Sequence, residues 1–76
     1  MYYVYILQSQ KNYSYYVGFS EDLRERVKQH QQGKVRSTKP LGPYKPVYYE
    51  AYLNKRTAIK RENQLKHQRL AKEEII

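Results

Sequence analysis

Apolar and polar positions fall into blocks along this chain, and each block has its own period. From Tyr2 to Leu7 the residues are aromatic, β-branched or aliphatic with little polarity, the pattern of a strand covered on both faces. Gln8 to Ser14 is polar, carries Asn12 and predicts a turn. Tyr15-Tyr16-Val17-Gly18-Phe19 predicts a second strand, and the short connection argues for an antiparallel hairpin. A helix is then expected to start over Ser20 to Asp22. Asp22 with Glu25 three residues on is a variant capping box, and Glu21 and Asp22 suit the positive helix end. The helix is expected to run to about Gln32, with Gly33 as its stop.

Lys34 to Pro46 contains Pro40, Gly42, Pro43 and Pro46 and reads as a loop. Val47 to Tyr52 predicts a third strand. Asn54 is a candidate N-cap for a second helix over Lys55 to His67, and Arg69 to Ile76 would add a helical turn or two or fray. The order ββαβα defines one α+β domain over residues 1–76, with a three-stranded sheet flanked by helices.

Composition narrows this picture. The chain has no cysteine, so packed side chains must hold it together, which fits a reducing, cytoplasmic setting. Ten of its eleven aromatic residues are tyrosines, and a buried tyrosine hydroxyl needs a partner or a path to water. Fifteen lysines and arginines against seven acids give a formal charge of +8 on 76 residues. Such a field favours polyanions, nucleic acid before an anionic membrane. No stretch is long and apolar enough for a transmembrane helix, and Met1-Tyr2-Tyr3-Val4-Tyr5 reads as a strand rather than a signal peptide.

Candidate chemistry lies where residue type and helix face disagree. With Leu23 at zero and about 100° per residue, Val27 falls near 40°, His30 near 340° and Arg26 near 300°. Arg26 and His30 therefore lie on or beside the face turned to the sheet. Either they serve an anion in a cleft, or Arg26 snorkels past the core edge and His30 is a hydrogen-bonded core histidine. In the second helix, with Ala58 at zero, Leu65 falls near 340° and Glu62 near 40°, within the apolar stripe. A carboxylate there serves a divalent cation or pairs with Lys66 one turn on. Tyr3, Tyr5 and Leu7 share one strand face, as do Tyr16 and Gly18 on the next strand. Tyr5 and Tyr16 are core aromatics, or one of them is a phenol poised as a base beside fixed cations.

Tyr3-Val4-Tyr5 and Tyr16-Val17-Gly18 resemble the paired GIY and YIG motifs of the GIY-YIG nucleases. The onward spacing to Arg26, His30 and Glu62 also resembles that superfamily. So do Arg36-Ser37-Thr38, Pro46-Val47-Tyr48-Tyr49-Glu50 and Ala58-Ile59-Lys60-Arg61-Glu62, which resemble segments of its small stand-alone bacterial branch. Coverage runs from about Tyr2 to Lys66.

The resemblance implies an antiparallel three-stranded sheet and cleavage of DNA by a one-metal mechanism of low sequence specificity. In that scheme Glu62 binds Mg²⁺, with Mn²⁺ as a substitute. A tyrosine activates water, with Tyr5 first and Tyr16 second in order of choice. Arg26 stabilises charge growing on the phosphate, a role that suits its planar fork, and His30 hydrogen-bonds the phosphate or positions the nucleophile. Lys34, Arg36, Lys39, Lys60 and Arg61 would hold the backbone without reading sequence. A homodimer or a protein partner would supply specificity.

The chain departs from the family pattern in three places. Tyr3 stands where the name-giving glycine does. Phe19 stands where some repair relatives carry a lysine. No late asparagine is placed near Glu62, since Asn63 points off the stripe at about 140°. The rival expectations are a non-catalytic nucleic-acid-binding module with the same fold, and an RNA-directed role.

Overall fold

A computed structural model describes residues 1–67, so the expectation for Arg69 to Ile76 lies outside the described residues. The first strand, β1 (Tyr2–Ser9), is the middle of a three-stranded antiparallel sheet of order β2-β1-β3, which explains its unbroken apolar run. Strand β2 (Tyr15–Ser20) pairs with it as a hairpin, Tyr5 opposite Gly18 and Leu7 opposite Tyr16. Strand β3 (Tyr44–Tyr52) pairs along its other side, Tyr5 opposite Tyr49 and Val4 opposite Glu50.

Helix α1 (Leu23–Gln31) begins as its sequence indicates, with the Asp22 side chain accepting from the Glu25 amide at 3.1 Å. It ends before Gly33, whose φ of 72° is the left-handed conformation that favours glycine. Helix α2 (Lys55–His67) is capped by Asn54, which accepts from the Thr57 amide at 3.2 Å. Strand β3 starts at Tyr44, earlier than the prolines suggest, and a short 3-10 turn over Lys39–Leu41 precedes it. Pro46 is tolerated because β3 is an edge strand and its pairing with β1 shifts register between Ile6 and Leu7.

The two helices lie on opposite faces of the sheet. Leu23 and Val27 of α1 pack with Tyr5, Leu7, Tyr16, Leu41 and Tyr44. Ala58 and Leu65 of α2 pack with Val4, Ile6 and Val17, ringed by Tyr2, Phe19, Tyr48 and Tyr52. Alternation along β1 divides its side chains between these two cores.

Candidate active site

A missing side chain is what lets the Tyr5 ring reach the sheet edge. A Cβ on Gly18 would lie 2.3 Å from both Cζ and the hydroxyl oxygen of Tyr5. The Tyr5 ring therefore lies across Gly18, and its hydroxyl reaches over β2, the edge strand. There the hydroxyl stands 2.8 Å from Nε2 of His30. On the other side of that imidazole, Nδ1 stands 2.8 Å from Oγ1 of Thr38. Since the Thr38 hydroxyl donates to the Val35 carbonyl, its oxygen is left to accept from Nδ1–H. The Nε2 atom then carries no proton and accepts the hydrogen bond of the Tyr5 hydroxyl. Tyr5, His30 and Thr38 are each at most 1% exposed, so this chain of hydrogen bonds runs through the interior.

Burial sets the ionisation of the chain. It pushes the Tyr5 phenol up to about 12, with the neighbouring Tyr16 and Glu62 adding to the rise and Arg26 opposing it. Burial, reinforced by the Arg26 charge, brings His30 down to about 4. At neutral pH both groups are uncharged. These influences also map the surroundings: groups from β2, α1 and α2 all act on the Tyr5 hydroxyl. The Tyr16 ring lies 5.1 Å from the His30 ring, centre to centre. Tyr16, Arg26 and Glu62 are half-buried and so open to solvent, whereas Tyr5 and His30 lie behind them.

The structure thus brings Tyr5, Tyr16 and His30 together, and the charges of Arg26 and Glu62 act on the Tyr5 hydroxyl. Some bland expectations hold as well. His30 is a hydrogen-bonded core histidine, and Glu62 meets Lys66 at 3.0 Å along α2. Arg26 donates to Gln29 at 3.1 Å. Lys34, Arg36 and Lys39 are exposed on the loop that Thr38 ties to His30, and Lys60 is exposed on α2. Arg61 lies apart from them, with Nε 2.8 Å and one terminal nitrogen 3.1 Å from the Glu50 carboxylate. A broad groove lined by Tyr3, Arg24, Lys28 and Tyr49 runs between α1 and β3, but its lining includes none of the five converging residues.

Two residues with fixed polar partners, Thr38 beside His30 and Glu50 beside Arg61, are not singled out by the sequence. Thr38 had one signal, its place beside the basic loop positions. Glu50 had another, as an acid among the tyrosines of a strand.

Among the described residues no three His, Asp or Glu side chains cluster as a metal site. The donor set is a single half-buried carboxylate, Glu62, and that fits a Mg²⁺ ion completed by substrate phosphate and water. No helix of the described residues is long and apolar enough to cross a membrane.

Comparison with known proteins agrees with this fold. The family model for the GIY-YIG catalytic domain matches residues 1–74. A UPF0213 protein of Clostridium perfringens is 43% identical over 67 residues, covering 87% of this chain and 71% of its own. A UPF0213 protein of Halalkalibacterium halodurans is 37% identical over 76 residues, covering 97% of this chain and 80% of its own. The solution NMR structure of a UPF0213 protein from Bacillus halodurans superposes with a TM-score of 0.62 at 36% identity, covering 99% of this chain and 82% of that one.

Proposed function

The chain belongs to the GIY-YIG catalytic domain family, and from that premise we propose that it is a divalent-metal-dependent endonuclease that hydrolyses phosphodiester bonds of DNA. The observation that carries this reading is the convergence on one phenol of a guanidinium and an imidazole from α1, a second phenol from β2 and a carboxylate from α2.

Glu62 would hold the metal, Mg²⁺ or in its place Mn²⁺. When bound, such an ion polarises the scissile phosphate as a Lewis acid. Arg26 would stabilise the charge that grows on the phosphate oxygens, a role that suits its planar fork of donors. Between the two phenols, burial favours Tyr16 as the group that takes the proton from the attacking water. Tyr16 is open to solvent, while Tyr5 is 1% exposed and already donates to His30. Tyr5 and His30 would serve as the fixed backing that holds Tyr16 and Arg26 in place. Lys34, Arg36, Lys39 and Lys60 would carry the backbone contacts, which read no sequence.

The Glu62–Lys66 pair favours a second reading, a module that binds nucleic acid without cutting it. Incubation of supercoiled plasmid with the protein and Mg²⁺ separates the two. Nicking by wild type is expected, with a loss of about 100-fold or more in Tyr16→Phe and in Arg26→Ala at unchanged binding. Tyr5→Phe is expected to lose less, chiefly through stability. Salt-sensitive binding with no nicking by wild type supports the module instead. Nicking by Tyr16→Phe but not by Tyr5→Phe would return the proton to Tyr5.

A further inference from the structure

Helix α2 holds the sheet with few apolar side chains. Ala58 and Leu65 are its buried residues, and Ile59 is 38% exposed. One small and one large contact leave its rotation about its own axis weakly determined by packing. Arg61 and Glu62 flank this stripe on opposite sides, at about −60° and about +40° from Ala58.

On the Arg61 side, the guanidinium grips Glu50 of β3 through two nitrogens, at 2.8 and 3.1 Å. The Glu50 carboxylate is itself fixed, because the hydroxyls of Tyr48 and Tyr52 also donate to it. Residues 48, 50 and 52 share one face of β3, so the strand presents a carboxylate already held by two hydroxyls, to which Arg61 adds two further donors. Burial would push the Glu50 carboxyl up, but the bonds from Arg61, Tyr48 and Tyr52 outweigh it and hold the group below its usual range. On the opposite flank of α2, toward β2, the charge of Glu62 is felt at the Tyr5 hydroxyl.

We propose that the Glu50–Arg61 bridge is a positioning device that sets the rotation of α2 and so brings Glu62 to the sheet edge beside Tyr5. The inference rests on the reading of Glu62 as the metal-holding acid. Arg61 and Glu50 are positioning residues that touch neither substrate nor metal. The leverage is short. A roll of about 10° about a helix some 10–12 Å wide with its side chains moves a carboxylate by about 1 Å, enough to cost about 100-fold in rate. A lone surface ion pair would constrain α2 little, but a bidentate grip on a carboxylate already held by two phenols defines one rotation.

The test uses Arg61→Met, Glu50→Gln, the double variant and, as a gentler change that keeps the fold, Arg61→Lys. Mn²⁺ is titrated into each while amide signals are followed by NMR, and cleavage and binding of a labelled duplex are measured in parallel. In the wild type, broadening at low Mn²⁺ is expected at Glu62, Tyr5 and Gly18. In Arg61→Met and Glu50→Gln the same broadening is expected to need about 5–10-fold more Mn²⁺. Turnover should fall about 10–100-fold with duplex Kd changed less than about threefold, and the double variant should be no worse than either single. Arg61→Lys keeps the charge without the fork and should recover part of the loss.

Folded variants that titrate and turn over like wild type would overturn the positioning role while leaving the nuclease reading intact. A loss carried entirely by duplex Kd would make Arg61 a backbone contact and overturn it too. Wild-type protein that neither cleaves nor broadens at Glu62 would remove the nuclease reading and the inference with it.

Discussion

The interior chain from Tyr5 through His30 to Thr38 fixes one protonation state. His30 is brought from its ordinary 6.5 to about 4 by folding, so the native state prefers the neutral ring. Its contribution to stability is therefore complete above about pH 6.5 and is lost as pH falls toward 4, a cost on the order of 3 kcal/mol. The His30 ring signal should stay that of a neutral imidazole to below pH 5 in an NMR titration. Urea midpoints should fall between pH 6.5 and 4 by more in wild type than in His30→Gln.

Gly18→Ala tests the passage of the Tyr5 ring across β2. The added methyl meets the Tyr5 ring, so destabilisation of about 1–3 kcal/mol is expected by urea denaturation. The cost should shrink in a Tyr5→Ala background, where the ring is gone. At this scale Arg26, His30 and Glu62 were legible in the sequence because ionisable groups stood on inward helix faces. Thr38 was not, because its contact with His30 depends on the path of a proline-rich loop that no periodicity describes.

The elements follow local rules closely, with one exception. Both helices begin where Asp22 and Asn54 accept from amides three residues on, and each cap is worth about 1 kcal/mol. Asp22→Ala should lower stability by about that amount in thermal or urea unfolding, and Asp22→Asn should lose little. The exception is β3, which begins at Tyr44 although prolines precede and interrupt it. Proline signals a loop because it removes a ladder donor, but an edge strand with a shifted register tolerates the loss. The Glu50 socket was hidden for a related reason. A strand's period assigns Tyr48, Glu50 and Tyr52 to one face, but only the packing of α2 shows that Arg61 arrives there.

Across the whole molecule, groups from helices on opposite faces act on one phenol, Tyr5, at one sheet edge. The sheet's order β2-β1-β3 leaves β2 uncovered on its outer side, so a residue from either face can reach the Gly18 edge. The exposed Lys34, Arg36 and Lys39 lie on the loop anchored at this cleft through Thr38. Their neutralisation, one at a time, should weaken duplex binding equally for unrelated sequences. Each should also reduce the slope of log Kd against log salt by about 1. The family and fold are readable in the sequence alone because the ordered motifs span nearly the whole chain. Their convergence is not, because periodicity assigns faces and says nothing of a ring crossing a glycine.

The most direct measurement is single-turnover cleavage of an end-labelled duplex by wild type and Glu62→Gln, with protein in saturating excess and Mg²⁺ present. The acid from the far face of the sheet is expected to matter for chemistry and little for affinity. Glu62→Gln should lose about 1000-fold in rate with Kd within about threefold of wild type. Cleavage by the variant within about threefold of wild type, or a loss explained wholly by weaker binding, would contradict the account.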